Sequence, residues 1–142
     1  MLRDLPSYLN RLRQRLLSRQ AAEPGYAIVA GRPEYEPLPA GSPEYPDPQT
    51  ANLRQVFFTV LERQYTDRKV TQLQQFHWLF LTQTQAEGWQ LALLFSRVGT
   101  YPQTGDSVLT PPRDSSQSVT AEAIRLWLRD CQAGSVRPLA GA

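Results

Sequence analysis

The sequence predicts an α+β fold: a four-stranded antiparallel meander with an N-terminal helix and a C-terminal helix packed on it, joined by long Pro-rich loops. Three observations predict it. Apolar residues recur at helical spacing at both ends of the chain. Three stretches rich in β-branched and aromatic residues follow one another between 54 and 99. All twelve prolines fall outside those stretches.

Residues 1–20 read as an amphipathic helix. Asp4 is a possible cap and Pro6 suits the first turn, where its missing N–H costs nothing. Leu5, Tyr8, Leu9, Leu12 and Leu16 form the apolar stripe, while Arg11, Arg15 and Arg19 climb another face at four-residue intervals. The segment holds five Arg and one acid.

Residues 21–53 change sign, with five acids and one Arg. A short strand, Tyr26–Ala30, leads into a Pro-rich stretch in which Pro-Glu-Tyr occurs twice, placing Tyr35 and Tyr45. Prolines this dense leave no ladder strand or helix, so 33–48 reads as an extended acidic loop. Docking of this loop on the basic helix is the simplest expectation, and partner recognition through Tyr35 and Tyr45 is the sharper one.

Residues 54–99 supply the remaining three strands. They are Arg54–Tyr65, Val70–Gln85 and Trp89–Val98, separated by Thr66–Lys69 and Ala86–Gly88. In the second, Phe76, Trp78 and Phe80 share one face, and Leu73, Leu79 and Leu81 the other. In the third, Trp89, Leu91, Leu93 and Phe95 alternate with Gln90, Ala92, Leu94 and Ser96. Residues 100–118 form a second loop. The span 119–134 reads as a helix with Thr120 at its N-cap, an inner stripe of Ile124, Trp127, Leu128 and Cys131, and Gly134 as the left-handed stop. Residues 135–142 read as a tail.

Composition narrows the function. The 142 residues suit one domain, and 41% apolar content is enough to build a core. Charges nearly balance, 15 Lys+Arg against 13 Asp+Glu, and 14 of the cations are Arg, which argues against a polybasic nucleic-acid binder. The strand aromatics stand where a core is needed rather than on a basic RNA platform. One Cys and one His exclude an internal disulfide and a His/Cys metal cluster, and no cofactor motif is present. No apolar run is long enough to span a bilayer, which leaves peripheral association of the basic helix. The start lacks an apolar signal core and reads as cytosolic. A mature exported chain preceded by an added Met would read the same way. Oligomeric state is not legible.

Three constellations are candidates for a site. Phe76, Trp78, Trp89, Phe95 and Trp127 can fill a core or line an apolar pocket in a curled sheet closed by a helix. Arg113, Ser115 and Ser116 follow the rigid Pro111-Pro112 and read either as a structured lead-in, with Arg113 buried against a carboxylate or carbonyls, or as an anion or peptide-carboxylate site. His77 and Cys131 could in principle form a thiol–imidazole couple. Cys131 is expected near the negative helix end, which disfavours thiolate, and the strand alternation allows His77 to fall on the opposite sheet face. Enzymatic use of His77 or Arg113 is the weakest of these readings.

Taken together over most of the chain, Leu5-Pro-Ser-Tyr-Leu9, Ala30-Gly-Arg-Pro-Glu34, Gln83 to Trp89, Pro111-Pro-Arg-Asp-Ser-Ser116 and Trp127-Leu-Arg-Asp-Cys131 resemble a group of cyanobacterial proteins without assigned activity. The resemblance implies a phototroph source and an exported, thylakoid- or envelope-related setting, and it attaches no catalytic residue. The function expected is that of a non-catalytic accessory protein that binds a protein partner through Arg11, Arg15 and Arg19 and through Tyr35 and Tyr45. The alternative is a small-molecule binder using the aromatic pocket.

Overall fold

The structure, a computed structural model, describes residues 1–19, 25–35, 53–102, 104–105 and 108–136. In chain order the elements are α1 (Leu5–Ser18), β1 (Gly25–Glu34), β2 (Leu53–Thr66), β3 (Lys69–Thr84), β4 (Gly88–Thr100), β5 (Arg113–Asp114) and α2 (Val119–Gln132). The class is α+β, and every strand pairs antiparallel with its sequence neighbour.

The sheet has five strands rather than four. The extra one lies inside the expected loop 100–118, along the outer edge of β4. Thr110 N donates to the Val98 carbonyl (2.9 Å) and Ser115 N to the Leu94 carbonyl (2.7 Å), with Arg113 and Asp114 paired between them. Pro111 and Pro112 have no N–H to give, so the strand shrinks to two residues.

Both helices start and stop for identifiable reasons. Asp4 holds the N-cap of α1, but its carboxylate makes no cap bond. It accepts instead from Arg3 and from the Trp127 indole N–H (3.0 Å). The N-cap of α2 is Ser118, whose Oγ accepts from Ala121 N (3.2 Å), and the expected cap Thr120 is buried inside the helix. Ser118 and Thr120 are both capping types, and only the chain path off β5 selects between them. Gly134 takes φ of 71° just beyond α2, the conformation that favours glycine.

One face of the sheet carries the core. Val56, Phe58 and Val60 of β2, Leu79 of β3 and Leu94 of β4 pack with Leu5 and Leu9 of α1 and with Ala121, Ile124 and Leu128 of α2. The two helices are stitched to each other by Tyr8 Oη donating to Asp130 (2.9 Å) as well as by the Trp127–Asp4 bond. Phe58, 1% exposed, lies at the centre of this core, its ring 5.0 Å from that of His77. Phe58→Ala is therefore expected to destabilise the fold by about 3–5 kcal/mol, seen as a lowered urea midpoint at unchanged m-value.

The alternation expected along β4 does not hold throughout. Phe80 pairs with Leu93 but Leu81 pairs with Leu91, so Ala92 is an extra residue in the ladder. Trp89 and Leu91 before this bulge face the helices, as do Leu94 and Ser96 after it, while Leu93 and Phe95 turn to the other face. Such a bulge carries no glycine or proline to announce it here.

Candidate functional site

β2 runs on past its last partner in β1, the pair Glu34↔Phe57. At that end of the sheet Arg54, Gln55 and Val56 border an open cavity of about 550 Å³. Gln55 and Val56 point to opposite faces, and both reach the cavity because no described β1 residue pairs beyond Phe57. Leu81 of β3 and Trp89 of β4 continue the wall, and Trp127, Leu128 and Cys131 of α2 with Leu2 close the far side. Tyr35, 66% exposed, stands at the mouth.

The Trp127 indole and the Trp89 backbone are each held by a hydrogen bond. Trp127 is fixed by its N–H bond to Asp4, whose carboxyl Arg3 and then Trp127 hold below the usual carboxylate range. Gln132 Nε2 donates to the Trp89 carbonyl (2.9 Å), and this needs Gly88. A Cβ at Gly88 would sit 3.2 Å from the same Gln132 nitrogen, and the residue has φ of 69°. The glycine that turns β3 into β4 therefore also lets α2 clamp the strand beside the cavity.

Gln55 adds a polar feature. Its Nε2 is buried and has no hydrogen-bond partner. Cys131, expected on the inner stripe, is exposed at the cavity's rim in the last turn of α2.

The structure divides the aromatic set read from the sequence. Trp89 and Trp127 meet in this cavity. Phe76, Trp78 and Phe95 lie half-buried on the opposite sheet face, Phe76 and Trp78 against Phe57 (6.3 and 5.2 Å between ring centroids) and Phe95 edge-on to Phe80 (6.5 Å). The bulge at Ala92 is what separates Phe95 from Trp89.

Arg11, Arg15 and Arg19 all lie exposed on α1. Arg11 stacks over the Tyr8 ring at 4.6 Å, and Arg15 and Arg19 border a shallow groove against the start of α2. Tyr45 and the acidic stretch 36–52, with any docking on α1, lie outside the described residues, as does the tail from 137.

Arg113 is exposed rather than buried as a structured lead-in would have it. The neighbouring hydroxyls serve β4: Ser116 Oγ accepts from Leu94 N (3.0 Å), and Ser115 Oγ donates to the Leu94 carbonyl (3.1 Å). Ser115 Oγ also meets Ser96 Oγ at 2.5 Å, and Ser96 meets His77 Nδ1 at 2.6 Å. His77 lies on the helix-bearing face, in register with Phe58, and not on the opposite face to α2. It is 2% exposed, its Nε2 has no partner, and burial pushes its pKa down to about 4. A neutral imidazole walled in this way ties strand to strand.

Among the described residues no group of three His, Cys, Asp or Glu side chains could hold a metal ion. No helix among them is long and apolar enough to cross a membrane.

The two wall tryptophans were visible in the sequence as large aromatics at the start of a strand and on a helix stripe. Arg54 and Gln55 were not, because their place at the cavity depends on where β1 stops pairing. Compared with protein-family models, with curated proteins and with solved structures, the chain matches none of them.

Proposed function

We propose that this chain is a non-catalytic binding protein whose site is the apolar cavity between the end of the sheet and α2. The observation that carries the reading is the cavity itself. It has about 550 Å³, within the range usual for small-molecule sites, and two tryptophans held by hydrogen bonds stand against aliphatic side chains. A phototroph setting belongs to the same proposal.

The test is saturable binding of the neutral fluorescent probe N-phenyl-1-naphthylamine, read by probe emission and quenching of tryptophan. At a hundred-fold excess over Kd the ligand should stabilise the fold by about 2.7 kcal/mol and raise Tm by roughly 5–10 °C. Cys131 is exposed at the rim, so Cys131→Trp should fill the site without disturbing the core and abolish probe binding. Unchanged probe binding by Cys131→Trp would remove the cavity from consideration.

A second reading, a protein partner on α1, is supported by one specific observation. Arg11, Arg15 and Arg19 stand exposed on one helix, and no salt bridge joins them to a carboxylate of the described residues. It predicts a salt-sensitive complex in native mass spectrometry that is lost in Arg15→Glu/Arg19→Glu and retained in Cys131→Trp.

A further inference from the structure

The groove between α1 and the start of α2 has a volume of about 390 Å³. Leu12 and Leu16 of α1 and Val119 of α2, all half-buried, give it an apolar strip. Arg15 and Arg19 stand exposed beside that strip, four residues apart and so on one side of α1. Neither guanidinium pairs with a carboxylate of the described residues. Glu122 of α2 is the one acid that borders the groove among them. The positive end of α2 opens beside it at Ser118 and Val119, which keeps the balance of charge positive.

This pattern selects among occupants. A flat anionic bilayer meets the arginines but does not reach leucines recessed between two helices. A shallow groove leaves most of a small molecule in water. A peptide segment lays apolar side chains along the strip and carboxylates along the bank at once, as amphipathic segments do in helix-lined grooves. Arginine suits that bank, since its fork of N–H groups takes a carboxylate through two bonds.

Resting on the reading of α1 as a partner surface, we infer that this groove docks an acidic amphipathic segment of a partner protein. The segment's apolar residues lie on Leu12, Leu16 and Val119. Its carboxylates meet Arg15 and Arg19. Glu122 gives the α2 bank the opposite sign, so the acidic flank of the segment faces α1.

The experiment uses the full chain and three labelled peptides, repeats of Glu-Glu-Leu-Leu, Lys-Lys-Leu-Leu and Glu-Glu-Ser-Ser, read by fluorescence anisotropy at low salt. The acidic leucine peptide is expected to bind at least about tenfold more tightly than either of the others. Arg15→Glu/Arg19→Glu should turn the preference toward the basic peptide, and Glu122→Gln should strengthen the acidic one. Leu16 lies outside the buried core, and Leu16→Gln should remove the advantage of leucine over serine. Cys131→Trp should change none of this.

Equal binding of the leucine and serine acidic peptides would overturn the groove and leave a merely charged helix. Acidic binding that survives the double arginine reversal would overturn it as well. Tighter peptide binding by Glu36→Gln/Glu44→Gln/Asp47→Asn would make the chain's own acidic stretch the occupant, and a doubled mass lost on arginine reversal would make it a second copy. Either result overturns the partner. Failure of both acidic peptides overturns the groove. The reading beneath it falls separately, if native mass spectrometry finds no salt-sensitive complex.

Discussion

Lowering the pH from 7 to 4 is expected to remove about 3 kcal/mol of stability through one residue, His77. Its imidazole is 2% exposed, and burial alone drives its pKa from the ordinary 6.5 to about 4. Below pH 6.5 the unfolded chain takes up a proton that the folded chain refuses, so stability falls with falling pH. The loss levels off near pH 4, where the folded histidine protonates too, and above 6.5 the residue contributes no pH dependence. The carboxyls of Asp4, Asp114 and Asp130, all held below their usual range, act lower down, as pH falls through their folded pKa values. Urea titrations at several pH values across the window check this. His77→Gln keeps a group able to bond Ser96 and should flatten the profile between 6.5 and 4. A profile as steep as the parent's would acquit His77.

Arg13→Leu is expected to cost about 3–5 kcal/mol, because it leaves a buried carboxylate without its counter-charge. Glu62 of β2 is 3% exposed, and Arg13 Nη2 of α1 meets it at 2.5 Å. Gln64 (2.6 Å) and Gln75 (2.5 Å) donate to the same carboxylate, so its oxygens are well served. The arginine is less so, since its Nε is buried with no partner. A pair desolvated on both sides with one arm idle should be replaceable by apolar bulk. The double variant Arg13→Leu/Glu62→Leu is therefore expected to recover most of what either single change loses. A double-mutant cycle by denaturant unfolding decides it: a double variant as unstable as the sum of the singles would show that the pair itself is not what the site depends on.

The contrast between β3 and β4 shows how far the sequence could be read. In β3 the alternation holds, with Phe76 and Trp78 on one face and Leu79 and Leu81 on the other. In β4 the same pattern is written as regularly, yet an unmarked bulge at Ala92 sends Trp89 and Phe95 to opposite faces. Register is a property of pairs of strands, and a single strand's periodicity does not contain it. The helix stripe of α2 and its Gly134 stop were legible because both depend on residues within one turn of each other. The two-residue β5 was not, since its existence depends on a free β4 edge that the local Pro-Pro sequence says nothing about. The candidate site divides in the same way. Its tryptophans announce themselves by size, whereas Arg54 and Gln55 matter only because a neighbouring strand ends.

Asn10 of α1 reaches the outer margin of β1. Its side-chain carboxamide donates to the Ala27 carbonyl (2.9 Å) and accepts from Ala27 N (2.8 Å), so one residue of α1 impersonates a passing strand at the outer margin of β1. On the other margin the stretch from Thr110 to Ser115 does the same for β4. A β-sheet with bare margins is a template on which further chains can stack, and that route leads to fibrils. Here each margin is met by its own chain over part of its length, at Ala27 on β1 and from Leu94 to Val98 on β4, which interrupts the run of free backbone groups an incoming strand would need.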